Sequence, residues 1–184
     1  ASIEEQGKLT SELKAQIVAA ETQVLVDDLY RPYRPKRRTR ATIAKEKGLE
    51  PLAVLISLQN SKEPLEKEAE KYVSEEKGVK NVQEAIDGAK DILAENISDE
   101  ADYRKRIRDL TFKKGTLVSV AKDEKAESVY EMYYDFTEAV SKVAGHRVLA
   151  LNRGEKEKFL SVKIEAPEEE ILRYLEKKVI RRDN

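Results

Sequence analysis

The sequence predicts a mainly α fold, a multi-helix, bundle-like region with a few short strands in its second half. Three observations lead there. Apolar residues recur at steps of three and four through most of the chain, the mark of helices with one buried face. Helix start and stop residues punctuate that pattern at sensible intervals. Only 7 glycines and 5 prolines occur in 184 residues, too few for a turn-rich all-β fold.

The elements follow in order. Leu9, Leu13, Ile17, Ala20 and Val24 share one helical face, with Thr10 or Ser11 as cap and an end near Leu29. Pro32 and Pro35 then exclude regular helix and favour extended chain. Thr39 caps a short helix through Ile43 and Ala44, which Gly48 stops. Pro51 opens a helix with Leu52, Leu55 and Ile56 inward. Pro64 opens another, carrying Leu65, Ala69, Tyr72 and Val73 to Gly78. Asn81 and Glu84 have capping-box spacing ahead of Val82, Ile86, Ala89 and Leu93. Ser98 is read as the next cap, with Asp99 and Glu100 in the first turn. Ile107 and Leu110 face inward, and Lys113, Lys114 and Gly115 close that helix.

After Gly115 the pattern changes. Thr116 to Val120 is short and β-branched, so it reads as strand. Lys122 to Ser128 reads as a loop. Val148, Leu149 and Leu151 suit a buried helix after Gly145. Leu160, Val162 and Ile164 alternate with polar residues, a half-buried strand. Pro167 opens a last helix with Glu168, Glu169 and Glu170 first and Lys177, Lys178, Arg181 and Arg182 last. The expected division is a helical part over 1–97 and a mostly helical second part over 98–184, as two lobes or one packed unit.

Composition excludes several chemistries. Without cysteine there are no disulfides, thiolate metal sites or cysteine nucleophiles. One histidine excludes a multi-histidine metal site. That residue, His146, has no recognisable nucleophile or orienting carboxylate near it in sequence, so a helix-start role is favoured over a hydrolase. The glycines are scattered and cradle no phosphate. The carboxylates fall in first turns and on exposed faces, and make no two-metal set. No cofactor, no metal site and no enzyme activity are therefore expected. No apolar run approaches the roughly 18 residues of a membrane helix, and no signal peptide opens the chain, so a soluble, cytoplasmic protein without membrane contact is expected. The sequence lacks a starting Met and ends in a charged helical tail, as an excised piece would.

Charge is concentrated in one place. Residues 31–47 hold eight basic side chains against Glu46 alone, a local +7 in a chain of net −1. Arg34, Lys36, Arg37, Arg38 and Arg40 are the candidate phosphate contacts, with Tyr30 and Tyr33 interleaved and two prolines to stiffen the segment. The competing reading is a tether whose cations pair with acidic helices, with Asp27, Asp28, Glu66, Glu68 and Glu70 as partners. Pro32 and Pro35 also make a PxxP spacing, which suits a rigid connector better than a docking peptide. Tyr130, Tyr133, Tyr134 and Phe136 form the second cluster. It reads mainly as core, with a base-stacking platform or a protein interaction face at Tyr130, Tyr133 and Tyr134 as alternatives.

Three stretches carry a resemblance. They are Asp28-Leu29-Tyr30-Arg31-Pro32-Tyr33-Arg34-Pro35-Lys36-Arg37-Arg38-Thr39-Arg40-Ala41-Thr42-Ile43-Ala44, continuing through Gly48 to Ala53; Ala89 to Asp99; and His146 to Glu155. In order and spacing they resemble the Tex family of bacterial transcription accessory proteins. Residues 117–128 match poorly. The resemblance implies a large, multidomain, mostly helical protein related to a eukaryotic transcription elongation factor. It implies an N-terminal helical region, of which this chain would be most, followed by an RNase H-like domain, helix-hairpin-helix elements and an OB-fold RNA-binding domain. It transfers a role in transcription with nucleic acid as partner, and no active site. The first function expected is a non-catalytic scaffold that binds nucleic acid, RNA or DNA, mainly through domains beyond this chain. The second is an interaction module that docks to the transcription machinery or to the protein's own C-terminal domains.

Overall fold

Thr10, Thr22, Thr39 and Asn81 each cap a helix in the computed structural model, which describes residues 1–181. The chain divides into two units. The first is Ala1–Lys105 with the chain from Lys177 onward, and the second is Arg106–Glu176. The division near residue 97 expected from sequence would cut a helix that continues unbroken to Asp99.

In the first unit a short α1 (Ser2–Glu5) precedes α2 (Ser11–Ala19) and α3 (Gln23–Tyr30). These last two were expected as one helix. Ala20 is extended at ψ 119°, and the Thr22 hydroxyl accepts from Leu25 N, so a second cap interrupts the run. Val24 consequently leaves the shared face and is half exposed. A single 3₁₀ turn, Arg31–Tyr33, carries the chain into extended backbone at Arg34. Then come α4 (Arg40–Glu46), α5 (Glu50–Leu58), α6 (Leu65–Glu70), α7 (Val82–Asp99) and the start of α8 (Ala101–Lys114). The α6 helix ends well before Gly78, and a Ser74–Val79 bridge closes the turn after it.

Helix α7 is the spine of this unit, packed by α4, α5 and α6. Its buried face is small: Ala85, Ala89 and Ile92 meet Ala41, Ala44, Leu49 and Leu52. Gly88 shows why. A Cβ there would stand 2.4 Å from Leu49 Cδ1 and 3.3 Å from Ala44 Cβ. Leu49, Leu52 and Ile92 are fully buried, each contributing roughly 1.5–3 kcal/mol of burial. The chain returns to this unit at its end, where Gln59 holds it: Gln59 Nε2 donates to Val179 O, and Arg181 N donates to Gln59 Oε1, both at 2.7 Å.

The expected Ser98 cap is not used. Ser98 and Asp99 belong to the last turn of α7, and α8 starts only after Glu100 bends the chain at ψ 118°. The Ser98 carbonyl accepts from Arg104 instead.

The second unit holds the rest of α8, then β1 (Thr116–Ala121), β2 (Asp135–Ala139), α9 (Gly145–Lys156), β3 (Leu160–Glu165) and most of α10 (Glu168–Val179). The three strands form one antiparallel sheet in the order β2-β1-β3. Strands β1 and β3 were expected and β2 was not. Its sequence, Asp-Phe-Thr-Glu-Ala, has no β-branched run, and it pairs only with β1 at an edge. Leu117, Tyr130, Tyr133, Leu151 and Leu160 make the core. Leu149, expected inward, is exposed on α9, and Ile164 is exposed on β3. The last helix has the expected charge order as far as Lys178. Arg181 lies beyond its end, and Arg182 lies outside the described residues.

Candidate functional site

The basic segment runs along the acidic face of α7. Asp91, Glu95 and Asp99 recur at steps of four, so a helix stacks them in one row. Arg31 Nε donates to Asp99 Oδ1 at 2.9 Å, and Lys36 Nζ is paired with the other Asp99 oxygen. Lys36 also lies 3.3 Å from Glu95, whose second oxygen accepts from Thr39 Oγ1 at 3.0 Å. Arg40 Nε stands 3.6 Å from Asp91. Thr39 and Thr42 close a capping box between these points, which fixes where α4 begins. Gln6 donates to the Tyr33 carbonyl at 2.9 Å and steadies the segment from α1.

The candidate residues therefore separate. Lys36 is mostly covered and its charge is matched by Asp99 and Glu95, so it acts as a tether. Arg38 touches Glu46 at 3.3 Å with both side chains largely in water, and such a pair contributes little. Arg40 is highly exposed and only loosely held. Arg34 and Arg37 are exposed and have no ion-pair partner among the described residues. Arg31, Arg34, Arg37 and Arg40 fall at every third position. Arg31 lies in the 3₁₀ turn, Arg34 and Arg37 in the proline-stiffened stretch after it, and Arg40 at the start of α4. Asp99 anchors Arg31, Asp91 holds Arg40 only loosely, and Arg34 and Arg37 have no ion-pair partner among the described residues. A cleft of about 470 Å³ lies between the segment and α7, lined by Arg34, Arg37, Arg40, Asp91 and Glu95 among others.

The acidic partners are not those expected from the sequence. Asp28 is buried and accepts from Arg104 Nε at 2.8 Å. Asp27 accepts from Gln23. Glu68 accepts from Lys71, whose ammonium lowers the carboxyl pKa, while Glu68 raises that of Lys71 in turn. The missed signal was the four-residue step of Asp91, Glu95 and Asp99, which matches a helix repeat and only needed a partner segment.

The tyrosine cluster lies in the core of the second unit. Tyr130 and Tyr133 are buried, against Phe159 and Phe136 at centroid distances of 5.9 and 5.3 Å. Tyr134 is half buried, and its hydroxyl bonds Ser128 and the Ala126 carbonyl. Burial raises the Tyr130 phenol above its usual range, and the nearby Glu157 carboxylate raises it further. These rings have little face left for stacking or docking. The exposed apolar side chains beside them are Val129 and Met132. Arg147 lies against Glu138 at 2.8 Å, a contact that raises the guanidinium pKa. His146 is exposed in the first turn of α9. Among the described residues no group of three or more acidic, histidine or cysteine side chains is arranged to hold a metal ion.

The chain is similar to known proteins over most of its length. The chain is 52% identical over 182 residues to the uncharacterised protein YdcI of Bacillus subtilis, covering 97% of this chain and 25% of that protein. It is 41% identical over 165 residues to the protein tex of Bordetella pertussis, covering 89% and 21%. It is 39% identical over 164 residues to the transcriptional accessory protein Tex of Neisseria gonorrhoeae, covering 88% and 21%. The chain thus spans about a quarter of the length of these relatives. A family model described as Tex central region-like matches residues 59–182. With that match over most of its length, the chain belongs to the Tex family.

Proposed function

We propose that the chain is a non-catalytic helical scaffold within a Tex-type transcription accessory protein, working in the bacterial cytoplasm. On this reading its basic segment contacts nucleic-acid phosphates through Arg34 and Arg37, flanked by Arg38 and Arg40. One observation carries the reading: the segment is anchored at Arg31 and Lys36, while Arg34 and Arg37 are exposed and have no ion-pair partner among the described residues. A tether alone would need only the anchored cations. A stiff segment also loses less entropy when it binds. The names of the relatives support a role beside transcription.

The test is a fluorescence titration of the chain against single- and double-stranded oligonucleotides over a range of salt. Arg34→Gln with Arg37→Gln should weaken binding and flatten the salt slope by about 0.7–0.9 per lost phosphate contact. An unchanged slope would remove the proposal.

The second reading is protein docking through the second unit, to the transcription machinery or to other parts of the same polypeptide. Exposure of Val129 and Met132 favours it, and moves the face from the tyrosine rings to these two side chains. Affinity for purified RNA polymerase that is insensitive to Val129→Ser and Met132→Ser would exclude it.

A further inference from the structure

Two turns of the first unit are near-copies of each other. Lys47-Gly48-Leu49 and Lys77-Gly78-Val79 each place glycine in the left-handed region, at φ 79° and 72°. Each glycine is followed by a fully buried anchor, Leu49 or Val79. The core thus fixes both turns, and it sets them face to face. A Cβ on Gly48 would stand 3.3 Å from Lys77 Nζ, and one on Gly78 would stand 3.8 Å from Lys47 Cε. Each lysine therefore lies over the other's glycine.

Bringing like charges together is unfavourable unless something of opposite sign sits with them. Among the described residues neither ammonium has an ion-pair partner. Lys47 lines a cleft of about 350 Å³ together with Lys80 and Arg40. Three carboxylates of α7, Glu84, Asp87 and Asp91, line that cleft as well, each with a contact of its own. Glu84 accepts from Lys80 N at 3.0 Å, Asp87 accepts from Gln83 at 2.9 Å, and Asp91 faces Arg40. Arg40 and Asp91 line both this cleft and the 470 Å³ cleft of the basic segment, so the two are neighbours.

We propose that Lys47 and Lys77, assisted by Lys80, form a second phosphate-contact point that takes the same nucleic-acid strand as Arg34 and Arg37. This rests on the nucleic-acid reading of the basic segment. The ligand is a phosphodiester chain and not a base sequence, because the point offers mobile ammonium groups and no aromatic face.

The test uses the whole 184-residue chain and a labelled single strand of about 20 nucleotides, long enough to cross more than one such site. Lys47→Gln with Lys77→Gln should weaken binding and lower the salt slope by about 1.4, while Lys47→Arg with Lys77→Arg should retain both. An unchanged slope in the glutamine pair, with a lowered slope in Arg34→Gln/Arg37→Gln, overturns this inference and leaves the basic segment's role intact. The opposite pattern removes the basic segment's role and leaves the lysine point standing. Displacement of the strand by inorganic phosphate at constant ionic strength identifies a small-anion site and overturns the strand. Absence of binding by the unaltered chain overturns both.

Discussion

Arg31 and Asp99, 68 positions apart in the chain, meet with Nε donating to Oδ1 at 2.9 Å. Asp99 is buried and also holds Lys36, so one carboxylate fixes two points of the basic segment. Asp99→Asn keeps the size and removes the charge. It should cost about 1.5–3 kcal/mol, at the lower end because Arg31 is nearly half exposed. Urea unfolding measures this, and a loss below about 0.5 kcal/mol would show that the row on α7 does not hold the segment.

Arg34 and Arg37 should behave in the opposite way. Neither has an ion-pair partner among the described residues, so Arg34→Gln and Arg37→Gln should change stability by less than about 0.5 kcal/mol. Lys36→Gln should cost more than either. Thermal melts of the three variants side by side would settle the division between anchored and free cations.

Ser119 carries a hydroxyl that is fully buried with no hydrogen-bond partner among the described residues. In the sheet it sits between Phe136 and Val162. Leaving a polar group unpaired in such surroundings costs about 1–3 kcal/mol. Ser119→Ala should therefore stabilise by about 1 kcal/mol and raise the melting temperature by roughly 2–4 °C. A drop on this substitution would mean that the hydroxyl has a partner after all.

Gly154 sits where α9 crosses β3. A Cβ there would lie 2.6 Å from Leu160 Cδ1, 2.9 Å from Leu160 Cγ and 3.1 Å from Tyr130 Cγ. Alanine usually stabilises a helix by up to about 1 kcal/mol over glycine. Here the clash involves fully buried neighbours that have no room to move, so Gly154→Ala should destabilise by about 1–3 kcal/mol. Equilibrium unfolding in denaturant gives the sign directly.

Tyr130 sets an alkaline limit. Burial first, and the Glu157 carboxylate second, raise its phenol above the usual value of 10.0. The folded pKa thus exceeds the unfolded one. Its contribution to stability is complete below the unfolded value and is lost as pH rises through the folded value. Tyr130→Phe should flatten the loss of stability on the alkaline side. A phenolate absorbance titration in which every tyrosine ionises near 10 would contradict this.

Much of this architecture could be read from short stretches. Thr10, Thr39 and Asn81 cap helices because a cap bonds an amide three residues ahead. Gly48 stops α4, and the acidic-to-basic order of α10 follows its own dipole. The alternation of Leu160, Val162 and Ile164 identified β3, although Ile164 proved exposed. The concentration of cations over residues 31–47 was equally plain.

Tertiary structure decided the rest, because the deciding contacts are far apart in the chain. Strand β2 exists because β1 offers it an edge, and nothing inside Asp135–Ala139 announces it. Asp99 reads locally as a first-turn acid, yet Arg31 and Lys36 reach it from more than 60 residues away. Which cations stay free was settled by α7, whose row of three carboxylates, four residues apart, claims Arg31 and Lys36 and passes by Arg34 and Arg37. A charge pattern lists the available ions; only the packing of helices sets which of them come within bonding distance.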